Sequence, residues 1–231
     1  MQRFKMKGDR VRMTAGKSRT GRMVKILEIL GSQPAATMLG DMARRYDPFR
    51  MLIATILSAR TTDEVTYPLA EELFRVYPTP EALAAADPLE VENRIRRIGF
   101  YRNKAKNIIA TARIIVDEYG GRVPADMANL LKLPGVGRKV AGCVLVYAFG
   151  QDAIPVDTHV HRVANRMRLA RTLLPEQTEQ ELMRITPRPC WQKVNDLFVW
   201  HGKTTCKPRK PECYRCVVVE WCDYGPKNLA P

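Results

Sequence analysis

The sequence predicts an all-α fold, and three observations carry this prediction. Apolar residues recur at three- and four-residue spacing along most of the 231-residue chain, as they do on one face of a helix. No stretch alternates apolar and polar residues over a length that would require a β-strand. The segments between the helical patterns are short, which is typical of helices packed in bundles.

The individual helices are predicted from apolar spacing and from residues that begin or end a helix. Residues 47–60 are strongly apolar and are expected in the core, while residues 103–121 form a long amphipathic helix closed by two glycines. Pro68 must kink its helix or mark a helix start. The predicted helices cover residues 23–32, 47–60, 62–78, 79–88, 88–100, 103–121, 124–135, 178–187 and 189–206, with two more after Gly137 and Asp157.

The chain is long enough for one large domain or two small ones. The loop QDAIPVD, residues 151–157, interrupts the helical pattern, so a domain boundary is expected near residue 152. The N-terminal helix is expected to pack against the C-terminal part, because the two ends of a chain often lie close together.

The net charge of +14 and the isoelectric point near 9.8 favour a polyanionic partner. Nucleic acid is the favoured partner and an anionic membrane surface is the second. The alternative is that the positive charge serves only solubility. No apolar run predicts a transmembrane helix, and the N-terminus lacks the apolar core of a secretory signal. We therefore expect a soluble protein, and the basic composition of residues 1–22 favours a disordered tail over an organelle-targeting segment.

The stretch LPGVGRK, residues 133–139, predicts an anion site at the start of a helix. Two glycines permit positive φ angles and remove side chains, so the backbone N–H groups of Gly135, Val136 and Gly137 can face outward. The helix dipole adds partial positive charge there, and Arg138 adds a full one. This pattern predicts a helix–hairpin–helix element that binds a DNA phosphate without contacting bases. An ordinary turn is the alternative, and the spacing excludes an ATP-binding P-loop.

Lys139 and Asp157 are candidate catalytic residues. Lys139 lies in the first turn of the helix after the loop, where an amine beside a bound DNA backbone could act as a nucleophile. Asp157 in VDTHV has the sequence of a helix cap, and a capped carboxylate could also stabilise a cationic sugar. Taken singly, the lysine would be a solvated surface residue and the aspartate only a cap.

Four of the six cysteines crowd into the C-terminal segment with the spacing C-x6-C-x2-C-x5-C, namely Cys206, Cys213, Cys216 and Cys222. Without a secretory signal, a metal site is favoured over disulfides. Four thiolates suit Zn²⁺ or an iron–sulfur cluster, and the single CxxC pair with uneven spacing favours a [4Fe–4S] cluster, with zinc as the alternative. Lys207, Arg209 and Lys210 in the first loop of this run could contact phosphate.

Together these segments resemble the endonuclease III family of DNA glycosylases, within the helix–hairpin–helix superfamily. The resemblance covers residues 24–224. It is carried by LSARTTD (57–63), IGFYRNKAKNI (98–108), LPGVGRKVA (133–141), AFG (148–150), VDTHVHRVANR (156–166), HGKTTC (201–206) and the cysteine run. It implies two helical domains that flank a DNA-binding cleft: residues 43–152 with the hairpin, and residues 23–42 together with 153–231. It also implies that the cysteines hold a [4Fe–4S] cluster with a structural and DNA-docking role.

The resemblance implies a base-excision repair enzyme, a DNA glycosylase with AP lyase activity on oxidised pyrimidines in duplex DNA. Such an enzyme flips the damaged nucleotide into its cleft. Lys139 would attack C1′ of the deoxyribose and displace the base, while Asp157 would stabilise the positive charge that develops on the sugar. A lysine Schiff base would then allow β-elimination on the 3′ side.

The resemblance implies roles for residues at four further positions. Arg60 stands where relatives insert a side chain, usually Gln, into the gap left by the flipped base, and an arginine could add stacking or a guanine contact. Phe100 stands where relatives usually hold a Leu wedge, and a core Phe at a helix end is the alternative. Asp63 resembles a polar pocket residue or a helix N-cap, and His159 is expected near the cleft.

Two other functions stay open on the sequence. A thymine or uracil glycosylase acting on mismatches with G is the alternative within the family, because RTT stands at residues 60–62 in place of the commoner glutamine form. A non-catalytic DNA-binding iron–sulfur module is the alternative from another class, although binding alone needs neither Lys139 nor Asp157. We expect a monomer that acts on damaged duplex DNA in the cytoplasm, associated with the nucleoid and without a membrane.

Overall fold

The computed structural model describes residues 18–34 and 37–230, and it contains helices and irregular segments but no strand in these ranges. The α-helices are α1 (Arg19–Gly31), α2 (Met38–Met42), α3 (Pro48–Ser58), α4 (Asp63–Val76), α5 (Pro80–Ala84), α6 (Pro88–Ile95), α7 (Tyr101–Tyr119), α8 (Met127–Leu130), α9 (Arg138–Phe149), α10 (Thr158–Arg166), α11 (Pro175–Ile185) and α12 (Trp191–Thr204). Short 3₁₀ turns occur at Arg188–Cys190, Cys213–Arg215 and Val219–Trp221. The predicted all-α fold is confirmed.

Local sequence signals explain where many of these helices begin and end. The side chains of Asp47 and Thr79 accept hydrogen bonds from backbone N–H groups in the first turns of α3 and α5. Gly120 ends α7 in the left-handed conformation that glycine adopts without strain. Pro68 does not begin a helix, because α4 continues on both sides of it.

The described side chains form two hydrophobic clusters. Residues of α3 to α9 build the first, with Met51, Leu52 and Ile53 of α3 completely buried. The second joins α1 to α10, α11 and α12, and in it Ile26 packs in the same core as Phe198. The N-terminal helix thus packs with the C-terminal part of the chain, as termini that lie close together allow.

The short helix α2 was not predicted, and its position differs from the predicted domain division. Met42 belongs to the first cluster, and Met38 and Leu39 pack against it. The predicted division, with residues 23–42 joined to 153–231, places them with the second cluster instead. Five residues are too few for a helical period to show in sequence, so tertiary contacts decide both the helix and its placement.

The predicted basic tail overlaps the start of α1. Residues 1–17 lie outside the described residues. Ser18 caps α1 by accepting a hydrogen bond from the N–H of Gly21 at 3.1 Å. Arg22 donates to the carbonyl oxygen of Trp221 at 3.1 Å and pairs with Asp223. Residues 18–22 are therefore part of the folded protein, which corrects the predicted boundary of the tail.

None of the helices that the structure describes is both long and apolar enough to cross a membrane.

Candidate active site

A cleft with about 1990 Å³ of space free of protein atoms, open solvent included, is lined by residues from both clusters. One wall comes from the loop between α3 and α4 and from the start of α9, and the other from the start of α10 and from α12. Five of the predicted site residues line this cleft: Arg60, Asp63, Lys139, Asp157 and His159. Arg60 and His159, which are 99 positions apart in the sequence, thus share one cleft.

The glycine-rich stretch forms a turn between α8 and α9, as the hairpin prediction requires. Gly135 has φ +79°, and a Cβ atom there would lie 2.9 Å from Asn107 Nδ2 of α7, so both the conformation and the close approach favour glycine. The hydroxyl of Thr111, also on α7, donates to the carbonyl oxygen of Pro134 at 2.9 Å. Helix α7 therefore supports the turn from behind.

One detail of the hairpin prediction is wrong. The N–H of Val136 donates to the carbonyl oxygen of Leu133 at 3.1 Å, and the Val136 side chain is buried. This N–H closes the turn and does not face outward. The N–H groups of Gly135 and Gly137 have no hydrogen-bond partner within the described part of the chain, so these two remain available to an anion.

Lys139 is the second residue of α9 and is partly buried at the cleft wall. One turn further along the same helix, Cys143 is completely buried. Burial raises the pKa of the Cys143 thiol, and the charges of Lys139 and Asp157 act on it in opposite directions. The charges of both candidate catalytic residues thus act on the same buried thiol.

Asp157 is the N-cap of α10, which confirms the cap prediction. Its Oδ1 accepts a hydrogen bond from the N–H of Val160 at 2.8 Å, and this bond fixes the carboxylate. The preceding loop is fixed too, since Asn195 Nδ2 donates to the carbonyl oxygen of Pro155 at 2.8 Å. Asn195 Oδ1 lies 2.9 Å from the hydroxyl of Tyr147 on α9. This chain of contacts links the helix that carries Lys139 to the loop that carries Asp157.

The carboxylate of Asp63 forms an ion pair with Lys203 of α12. Thr62, and not Asp63, is the N-cap residue of α4, so the cap interpretation of Asp63 is wrong. His159 is half-buried, and burial lowers its pKa, which keeps the imidazole neutral near pH 7. Lys203 and Asn195 line the cleft, and sequence reasoning missed both. Their partners lie far away in sequence, and no local pattern marks them.

Arg60 and Phe100 are exposed, and their side chains contact each other beside the cleft. The guanidinium carbon of Arg60 lies 5.5 Å from the centre of the Phe100 ring. The Phe100 side chain is 61% exposed, so the alternative that it is a core residue is wrong. Both residues have positive φ angles, +55° for Arg60 and +59° for Phe100.

A buried lysine lies beneath these two residues. Lys104 is only 6% exposed, and its amine donates to the carbonyl oxygen of Leu57 at 2.8 Å and to Thr61 Oγ1 at 2.9 Å. Burial lowers the pKa of Lys104 to about 8, and no carboxylate in the described residues offsets this effect. Sequence reasoning placed this residue only within the helical pattern of residues 103–121.

The lowered pKa of Lys104 predicts a pH effect on stability. In the unfolded chain its pKa returns towards 10.5, so between about 8 and 10.5 the unfolded state binds more protons than the folded state. The free energy of unfolding therefore gains a contribution that rises with pH across this window, and the contribution is absent below it. Urea denaturation of wild type and Lys104→Met across the window should show wild type gaining stability relative to the variant as pH rises. A difference in the free energy of unfolding between the two proteins that stays constant across the window would contradict the lowered pKa of Lys104.

Several predicted phosphate contacts already have partners within the protein. Arg138 forms two hydrogen bonds with the buried carboxylate of Glu179, at 2.9 and 3.0 Å. Lys207 pairs with Glu212 at 2.5 Å. Arg209 and Lys210 are exposed and make no ion pair in the described residues. Of the basic residues predicted in this loop, Arg209 and Lys210 are thus the two that remain available to contact phosphate.

The four clustered cysteines line one cavity with about 350 Å³ of atom-free space. All four are free thiols. In residues 18–34 and 37–230, no three His, Cys, Asp or Glu side chains are arranged to hold a single metal ion. The guanidinium Nη1 of Arg166 lies 3.6 Å from Cys206 Sγ, and Nε2 of the buried His201 lies 3.8 Å from Cys216 Sγ.

Comparison with known proteins gives one family and a consistent set of relatives. A family model described as HhH-GPD superfamily base excision DNA repair protein matches residues 53–188. Endonuclease III of Thermotoga maritima is 46% identical over 181 residues, which cover 78% of this chain and 85% of that protein. Endonuclease III of Escherichia coli K12 is 41% identical over 180 residues, with coverage of 78% and 85%.

Solved structures give the same picture. A trapped endonuclease III–DNA covalent intermediate superposes with a TM-score of 0.82 at 36% identity, covering 89% of this chain and 96% of that chain. A thermostable thymine-DNA glycosylase superposes with a TM-score of 0.80 at 27% identity, covering 91% and 98%.

Proposed function

This chain belongs to the HhH-GPD superfamily of base excision DNA repair proteins, and from this membership we propose that it is a DNA glycosylase with AP lyase activity on oxidised pyrimidines in duplex DNA. The observation that carries the proposal is that Lys139 and Asp157 line the same cleft. A protein that only binds DNA would need neither side chain. The net charge of +14 supports a DNA partner. We further propose that the protein acts as a monomer on cytoplasmic, nucleoid-associated DNA.

The thymine or uracil glycosylase alternative is not favoured. Among the solved structures, the endonuclease III–DNA covalent intermediate is 36% identical to this chain, whereas the thymine-DNA glycosylase is 27% identical. A non-catalytic module is disfavoured by the same relatives and by the presence of both candidate catalytic side chains in the cleft.

The proposed reaction follows from the positions of the two residues. The Nζ atom of Lys139 attacks C1′ of a flipped nucleotide, and the bond between C1′ and the damaged base breaks with its electron pair leaving on the base. Asp157, held by its cap hydrogen bond, stabilises the positive charge that develops on the sugar. The sugar ring opens to a Schiff base on Lys139, loss of a C2′ proton follows, and the C3′–O bond breaks by β-elimination.

We propose DNA contacts at three places around the cleft. The turn at Gly135 and Gly137, with Val136 between them and Arg138 after them, binds a backbone phosphate, mainly through the two free glycine N–H groups. Arg60 and Phe100 enter the duplex at the flipped nucleotide. Lys207, Arg209 and Lys210 approach a second stretch of backbone. Asp63 and His159 complete the polar lining of the nucleotide pocket.

We also propose that Cys206, Cys213, Cys216 and Cys222 hold a [4Fe–4S] cluster. Zinc binds thiolates at about 2.3 Å, so its four sulfurs would converge on one point. The four thiols line one cavity without forming such a single-ion group in the described residues, which suits a larger cluster better. Arg166 offers an N–H donor to Cys206 Sγ, and Nε2 of His201 lies within hydrogen-bond distance of Cys216 Sγ. When bound, the cluster supplies a rigid core for a segment with little regular structure.

Substitution of one proposed cluster ligand should have effects that substitution of a cysteine outside the run does not have. Cys216→Ser is expected to lose the visible absorbance of the cluster and to lower Tm by several degrees, because metal binding contributes to folding. Cys190→Ser, a partly buried cysteine outside the run, is the matched control and should keep both. Equal absorbance and iron content in the two variants would contradict the proposed ligand set.

The function itself is tested with a duplex that carries one thymine glycol, using the full, cluster-loaded chain. Strand cleavage and a covalent adduct after borohydride reduction are the expected results. An adduct on an AP site but none on thymine glycol would support the lyase and overturn the choice of oxidised pyrimidine. No adduct on either substrate would overturn the proposed enzyme.

A further inference from the structure

Two exposed residues beside the cleft share an unusual backbone conformation. Arg60 and Phe100 both lie in the left-handed region, which side chains other than glycine, asparagine and aspartate rarely adopt. Such conformations persist only when the surrounding structure holds them, and they concentrate at functional sites. Their side chains also form a cation–π contact, with the guanidinium carbon of Arg60 5.5 Å from the centre of the exposed Phe100 ring.

Lys104 connects the two turns that carry these residues. It lies in the first turn of α7, and its own N–H donates to the carbonyl oxygen of Phe100 at 3.0 Å. Its amine reaches back to Leu57, three residues before Arg60, and to Thr61, the residue directly after it. One residue thus bonds to the turn at Phe100 through its backbone and to the turn at Arg60 through its side chain.

Burial of this amine is unfavourable by itself. A cationic side chain that is 6% exposed and has no carboxylate partner in the described residues loses hydration without gaining an ion pair. The C-terminal end of α3, where Leu57 lies, provides partial negative charge in return. The amine also supplies two hydrogen bonds to the Arg60 turn, which an apolar side chain could not make.

We propose that Lys104 is a positioning residue that holds Arg60 and Phe100 together as one cationic surface, and that this surface contacts the base opposite the flipped nucleotide. The inference rests on the proposed function, because only nucleotide flipping leaves that base without a partner. A guanidinium on an aromatic ring presents N–H donors in one plane and stacks on a base. Guanine, with its O6 and N7 acceptors, is the opposite base that this surface favours.

The test compares two duplexes in single-turnover borohydride trapping. Both carry the same AP site, one opposite guanine and the other opposite an abasic analogue that offers no base to contact. Lys104→Met is expected to raise the DNA concentration for half-maximal trapping about tenfold on the guanine duplex, a size typical of one lost base contact. The shift on the abasic duplex should stay below about twofold, and the maximal rate should change little on either.

A double-mutant cycle tests whether Lys104 acts through Arg60. Arg60→Ala should raise the concentration of the guanine duplex needed for half-maximal trapping by a similar factor. The double variant should need no higher concentration than Arg60→Ala alone. Lys106→Met removes an exposed charge from the same helix and should affect the two duplexes equally. If Lys104→Met does not fold, Thr61→Val, which removes one of the two acceptors, should give a smaller shift confined to the guanine duplex.

Three outcomes would overturn the inference and leave the proposed function in place. Equal shifts on both duplexes would mean that Lys104 only supports the fold. Effects of Lys104→Met and Arg60→Ala that multiply would mean that the two residues act independently. Normal trapping by Lys104→Met on both duplexes would remove the positioning role while leaving the proposed function intact. Wild type that traps neither duplex would instead overturn the proposed function, and this inference with it.

Discussion

Lys139→Ala is expected to give no covalent adduct with an AP-site duplex after borohydride reduction, while wild type gives one. The Schiff base requires a primary amine at C1′ of the flipped sugar, and Lys139 is the lysine at the start of α9 in the cleft wall. Loss of a nucleophile lowers the rate by several orders of magnitude, because the covalent step depends on it. Adduct formation on denaturing gels measures this effect directly.

The variant should still bind the same duplex. The glycine N–H groups of the hairpin, the Arg60–Phe100 pair and the cysteine loop are unchanged, and these supply most of the proposed contacts. Lys132→Ala removes an exposed lysine just before the hairpin and is the matched control, which should trap normally. An adduct that persists in Lys139→Ala would assign the nucleophile to another amine, with Lys203 the first to test because it lines the same cleft.

Asp157→Asn is expected to slow base removal by about a hundredfold to a thousandfold, as loss of a group that stabilises transition-state charge does. Asparagine caps a helix as well as aspartate does, so the bond to the N–H of Val160 and the fold of α10 should survive. The variant therefore removes the charge and keeps the geometry. Single-turnover rates on a thymine glycol duplex measure the glycosylase step.

Asp157→Asn should lose much less activity on a preformed AP site than on thymine glycol. No base leaves there, so less positive charge develops on the sugar before Lys139 adds. Asp157→Ala is the companion variant, which loses the cap as well and should cost about 1 kcal/mol of stability in addition to activity. Equal losses of Asp157→Asn on thymine glycol and on the AP site would contradict the assigned role and point to a general effect on the cleft.

The sequence by itself determined the features that depend on about ten neighbouring residues. Apolar spacing is sufficient for most of the helices, because a helix satisfies its backbone hydrogen bonds within its own segment. The turn at Gly135 follows from its glycines, and Asp157 is an N-cap because an aspartate before a helical pattern accepts an N–H three residues on. The cysteine run and the pair Lys139 and Asp157 were also evident, since their residue types and order match a known family.

Only the tertiary structure decided which distant side chains meet. Asp63 pairs with Lys203 across 140 residues, and Arg138 is held by Glu179, which no local pattern reveals. Likewise, α2 packs against the first cluster, the N–H of Val136 closes a turn, and Lys104 joins the turns of Arg60 and Phe100. The physical reason is the same in each case. A helix pattern gives the direction of a side chain relative to its own axis, whereas its partners depend on how whole helices pack, and that packing is shared among many weak contacts.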